Sequence, residues 1–102
     1  MQPIITENRE KIAELCRTHH VRRLSVFGSA VRDDFDPTRS DVDFLVEFEP
    51  LGEMEYAPNY FSLLRSFDIV FGRQVDLLTE TSIRNPYLRR AIDGEKVALY
   101  AA

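Results

Sequence analysis

The chain has a single cysteine, Cys16, among its 102 residues, so no internal disulfide can form and a reducing compartment is expected. It has no run of about 18 consecutive apolar residues, the length a membrane-spanning helix needs. The opening MQPIITENRE holds no apolar stretch long enough for a secretory signal, and a cytoplasmic location is therefore expected. Basic side chains are outnumbered: 13 Lys and Arg against 17 Asp and Glu give a net charge of −4. That balance disfavours nonspecific nucleic-acid binding, which depends on a concentrated basic footprint. Repeats, low-complexity tracts and linkers are missing too, so one domain spanning residues 1–102 is expected. What is present is globular in character, with 44% hydrophobic and 29% charged residues. A chain of this length buries about 65% of its unfolded surface, enough for a core without disulfides or structural metal.

Hydrophobic spacing predicts the elements. Residues 7–19 suit a helix with Thr6 as N-cap, Glu7 complementing the dipole, and Ile12, Leu15, Cys16 and His19 along one face. Val21 to Phe27 reads as a strand stopped by Gly28, with a short helical turn from Ser29. Asp33 to Ser40 is polar and reads as a loop. Val42 to Glu49 is a second strand, residues 49–58 a loop, and Asn59 to Phe71 a helix stopped by Gly72. Gln74 to Thr79 is a third strand. A last helix is capped by Asn85, opened by Pro86 and ended near Asp93 by Gly94. The tail VALY is a short strand or a packed extension. The order predicts a small α+β or α/β layered fold with three or four strands.

The second strand carries an anomaly. Side chains alternate along a strand, so Val42, Phe44, Val46 and Phe48 share one face and Asp41, Asp43, Leu45 and Glu47 the other. Asp76 sits between Val75 and Leu77 on the third strand. If these strands are neighbours, three carboxylates converge, and each raises the others' pKa unless a cation neutralises them. Hard divalent ions such as Mg²⁺ take oxygen ligands of this kind, together with substrate phosphates. An isolated D-x-D is equally served by solvated strand-edge acids.

Gly28-Ser29 adds a second half. Gly28 lets the backbone approach a ligand, and Ser29 offers its N–H and hydroxyl at the start of a helical turn, as a phosphate site does. Arg32, further along the turn, can reach a phosphate or pair with an acid. A plain strand-to-helix turn would use the same two residues. Together, a phosphate cradle beside a metal-binding face makes up a nucleoside-triphosphate site.

The segments FGSAVR, SDVDFLVEF and QVDLL resemble the minimal nucleotidyltransferases of the DNA polymerase β-like superfamily. The resemblance runs from the first helix to NPYLRRAI and is nearest to the MNT-domain antitoxins paired with HEPN-domain toxins. It implies the polymerase β-like nucleotidyltransferase fold, a short mixed sheet flanked by helices. It implies Asp41, Asp43 and Asp76 as metal ligands and catalytic acids for Mg²⁺, two ions being expected, and Gly28, Ser29, Arg32 and Ser40 as nucleotide contacts. It implies transfer of a nucleoside monophosphate, AMP from ATP, onto a hydroxyl, with Asp76 also placed to help deprotonate that hydroxyl. The acceptor implied is a tyrosine of a HEPN toxin, which the chain would silence as antitoxin. Asp33 follows Arg32 where many members of the family carry Gly, so the path of that loop is expected to depart from theirs.

Other features fit simpler roles. Asp36 to Glu47 has acids at both ends, but Asp41 stands where a calcium-binding EF-hand turn needs Gly. His19 and His20 are adjacent at a helix end, pointing different ways, and suit its C-terminal dipole. Cys16 suits the core. Arg22, Arg23, Arg89 and Arg90 read as solvated charges, although one of the first two could face a nucleotide. Two further functions fit the chain: a toxin-binding module that works by occlusion, and nucleotidyl transfer to a small molecule.

Overall fold

The computed structural model describes residues 1–32, 34–36 and 38–102. Its strands β1 (Val21–Phe27), β2 (Val42–Phe48), β3 (Val75–Thr79) and β4 (Val97–Ala101) form one sheet in the order β3-β2-β1-β4. β1 pairs antiparallel with β2 and β4, while β2 and β3 run parallel. A parallel neighbour requires a crossover, and α3 (Glu53–Phe71) supplies it. The remaining helices are α1 (Pro3–Thr6), α2 (Arg9–Thr18) and α4 (Pro86–Glu95). This is the expected α+β architecture, a short mixed sheet flanked by helices. Among the described residues no helix is long and apolar enough to cross a membrane.

Period-two alternation sends Val42, Phe44 and Val46 into the main core, where all three are fully buried. They meet Ile12 and Cys16 of α2 and Leu63 and Phe67 of α3. The Phe44 ring lies 4.8 Å from Phe67 and 5.7 Å from Phe71, so aromatic contacts tie the sheet to its crossover helix. Burial of each such side chain contributes about 1.5–3 kcal/mol. Burial also pushes the Cys16 thiol up to about 12, in keeping with a core role.

The strand's opposite face carries Leu45 among its acids, as the alternation predicted. Leu45 is buried there with Phe27 and with Ile92 of α4, forming a second, smaller core. Phe48, expected in the main core, is only half-buried.

Helix boundaries differ in three places. The expected helix over 7–19 is α2 alone, Arg9–Thr18, and a separate short helix that Pro3 opens, α1, precedes it. Thr6 lies inside α1 with its hydroxyl donating to the Pro3 carbonyl (3.2 Å), so it caps nothing, and Asn8 precedes α2. α3 begins at Glu53, not Asn59, and runs through Pro58. Proline there removes a bond to the carbonyl of Met54, a residue 91% exposed, so the loss falls at the surface and not in the core. Gly94 does not stop α4, which continues to Glu95. Gly72, by contrast, ends α3 as expected, with φ +62. The Asn85 side chain accepts from the N–H groups of Tyr87 (2.8 Å) and Leu88 (3.3 Å), as a cap should. At the end of α2 the His19 ring bridges the Leu15 carbonyl (2.8 Å) and Ser62 Oγ (3.0 Å), joining α2 to α3.

Candidate functional site

Parallel pairing of β2 with β3 sets Asp43 directly opposite Asp76. In-register partners present side chains on the same face. The two carboxyls are hydrogen-bonded, and the Asp43 group is pushed up to about 7. Burial is the main cause, followed by the hydrogen bond and charge of Asp76 and then the charge of Asp41, while Arg32 opposes them.

Asp41 lies one residue before β2, close enough to act on Asp43 through its charge. In this structure it stands beside the pair and not in contact range of both: among the described residues, no three His, Cys, Asp or Glu side chains are gathered into one metal-holding group. Of the three acids singled out from the sequence, the structure thus joins two and leaves the third beside them.

Gly28 has φ +75, a left-handed conformation that favours glycine, and a Cβ there would collide with Asp43 Oδ2. The turn after β1 is therefore pressed directly against the acid pair. Gly28, Ser29 and Ala30 form a single 3₁₀ turn, giving the expected strand-to-helix geometry. The Gly28 N–H donates to Glu95 Oε1 at 2.9 Å. Arg32 pairs with acids: its Nε donates to Asp34 Oδ1 (3.2 Å) and its Nη1 to Glu95 Oε2 (2.9 Å). Of the two partners expected for Arg32, phosphate or carboxylate, this structure contains the second. Ser40 is engaged in its own loop, its hydroxyl accepting from the Asp36 N–H (2.9 Å) and its carbonyl from Arg73 Nη1 (3.3 Å). Asp33 lies outside the described residues.

Glu95 was not legible as a site residue, because its place depends on β4 docking beside β1. Arg73 was missed as well; it reaches the Ser40 carbonyl and stacks 5.2 Å over the Phe35 ring. A cavity of about 530 Å³ opens beside the acid pair, lined by Phe27, Asp43, Tyr60, Asp68, Asp76 and Leu78 among others. It offers apolar walls next to carboxylates, a setting suited to a ligand with both a flat apolar part and a hydroxyl part.

The donor set fits a divalent cation in its chemistry. Burial first, and then the neighbouring Asp76 and Asp41, raise the Asp43 carboxyl, and a hard cation with oxygen preference would offset that crowding of negative charge.

The nucleotidyltransferase domain family model matches residues 9–99, and the chain belongs to that family. It is a nucleotidyltransferase. A protein of Methanocaldococcus jannaschii, provisionally named a protein adenylyltransferase, is 39% identical over 93 residues, covering 91% of this chain and 95% of its own. A solved structure provisionally described as a minimal nucleotidyltransferase superposes with TM-score 0.76 at 30% identity, covering 95% of each chain. A MNT antitoxin in complex with a tri-AMPylated HEPN toxin of Shewanella oneidensis shares the fold, with TM-score 0.64 at 19% identity over 95% of this chain and 72% of that one.

Proposed function

We propose that the chain transfers AMP from ATP onto a hydroxyl, that the hydroxyl is a tyrosine of a HEPN-type toxin, and that the modification silences the toxin. The observation that carries the reading is the in-register contact of Asp43 with Asp76, held against the Gly28 turn. The family membership and the AMPylated toxin beside a neighbour of the same fold support it.

Asp43 and Asp76 would hold Mg²⁺, with Asp41, which stands beside them, as the third ligand. When bound, the metal supplies positive charge that offsets the negative charge building on the phosphates during an in-line displacement. The acceptor oxygen bonds to the α-phosphorus of ATP, the α–β bridging P–O bond breaks, and pyrophosphate leaves with its electron pair. The hydroxyl proton passes to a carboxylate, a role that suits Asp76. Ser29 and Arg32 orient the phosphates, Arg32 by exchanging its Asp34 partner for a phosphate. The apolar cavity beside Asp76 admits the flat part of a substrate and limits water around the pair.

The reading is tested by mixing the chain with its toxin partner, ATP and Mg²⁺ and locating added AMP on the toxin by mass spectrometry. A modified tyrosine that vanishes with Asp43→Asn plus Asp76→Asn supports it. Full neutralisation by that double variant, with no modification in either mixture, would replace catalysis with occlusion.

A further inference from the structure

We propose that Glu95, the last residue of α4, is a positioning residue for the nucleotide turn: its carboxylate fixes Gly28 and Arg32 so that the turn presents Ser29 to ATP beside the acid pair. The inference rests on the nucleotidyl-transfer reading given above and extends it to a residue outside the motif that carries that reading.

Glu95 Oε1 accepts from the Gly28 N–H and Oε2 from Arg32 Nη1, each at 2.9 Å. Between those two residues the chain makes only a tight turn, closed by Val31 N–H to the Gly28 carbonyl (3.1 Å) and Arg32 N–H to the Ser29 carbonyl (3.2 Å). One carboxylate therefore holds the turn at its first residue and at its last. Both bonds involve an ionised acceptor, and such bonds are roughly twice as strong as neutral ones.

The position of Glu95 is itself set by the sheet. β4 runs antiparallel to β1 with Val26 opposite Val97, and continuing that register brings residue 28 opposite residue 95. The backbone ladder stops there, and the Glu95 side chain takes over the Gly28 donor. On its other side Gly28 is pressed against Asp43 Oδ2. A displacement of Gly28 thus moves Ser29 relative to the Asp43–Asp76 pair, and the end of α4 governs the site from outside it.

A carboxylate on these donors could instead act as an anion that competes with phosphate. The two roles predict opposite signs. Gly28 is buried and its N–H faces protein, so removing Glu95 leaves a donor without a partner and a turn free to shift. That favours positioning.

The test is titration calorimetry of the full chain with AMP-PNP and Mg²⁺, comparing the unaltered protein with Glu95→Gln and Glu95→Ala, each well below its unfolding temperature. The Gly28 amide resonance is followed in parallel by NMR. Positioning predicts binding about tenfold weaker for Glu95→Ala, through loss of two charge-assisted bonds. Glu95→Gln, which keeps an acceptor for Gly28, falls between, and the Gly28 resonance moves in the same order. If Glu95→Ala does not fold, Glu95→Gln decides alone. Affinity equal to or tighter than that of the unaltered protein in both folded variants overturns the inference. Should that happen while Asp43→Asn with Asp76→Asn abolishes binding in the same series, the nucleotide site stands and only the role of Glu95 falls. No binding by the unaltered protein removes the nucleotide reading and this inference with it.

Discussion

With its carboxyl pushed up to about 7, first by burial and then by Asp76, Asp43 keeps a proton in the folded chain where the unfolded chain has released it. The folded state then binds more protons than the unfolded one, so stability falls as pH rises. The loss begins above the ordinary value of 3.8 and is complete once pH passes about 7. Thermal melts between pH 4 and pH 8 in the absence of metal should show the unfolding temperature declining over that window. Asp43→Asn should flatten the decline, because the amide does not titrate. Adding Mg²⁺ at pH 8 should raise the melting temperature of the unaltered protein and not of the variant. A slope that persists in Asp43→Asn assigns it to another group. At Gly28, alanine brings a left-handed backbone penalty of about 1–2 kcal/mol and a collision with Asp43 Oδ2. Denaturant unfolding of Gly28→Ala should show at least that loss, with nucleotide binding reduced because Asp43 is displaced. Residues such as these were legible in the sequence, since period-two alternation and a glycine at a strand end are local facts. Glu95 was not. Its partners lie 67 and 63 positions away along the chain, and only the docking of β4 on β1 brings them together.

Among the elements, the strands were legible because their apolar runs are short and bounded by clear stops. β1 was expected at Val21–Phe27 and is found there, while β2 and β3 differ by one terminal residue each. Helix starts were harder. Pro58 reads as a loop residue, yet it sits inside α3, where the carbonyl it leaves unpaired belongs to an exposed residue. Gly94 reads as a stop, yet α4 continues one residue further, and that residue is Glu95, the one that reaches the Gly28 turn. Two substitutions weigh the elements. Asn85→Ala removes the acceptor for Tyr87 and Leu88 and should cost about 1 kcal/mol in chemical unfolding. Phe67→Ala empties the centre of the contact between α3 and Phe44 and should cost about 3–5 kcal/mol. The ordering of these two losses, core above cap, is the outcome to check. A reversed order would mean that Phe67 is not central to the core.

At the scale of the whole molecule, function depends on the strand order β3-β2-β1-β4. Placing β3 beside β2 creates the Asp43–Asp76 contact, and placing β1 on the other side of β2 delivers the Gly28 turn to the same spot. β4 then brings α4's final carboxylate to that turn. The sequence carried the parts of the site but not their closure, because whether Asp41 joins the pair depends on side-chain placement at the mouth of β2 and on the ion it would hold. The central claim is that Asp43 and Asp76 serve transfer of a nucleoside monophosphate from ATP. Its most direct test is incubation of the chain with the HEPN-type toxin proposed as acceptor, Mg²⁺ and ATP labelled in either the α- or the γ-phosphate, followed by counting label on the toxin. The account predicts that α-label appears on the toxin, that γ-label does not, and that Asp43→Asn and Asp76→Asn each abolish the transfer. Label arriving from the γ-position, or α-label transferred undiminished by both variants, would contradict it.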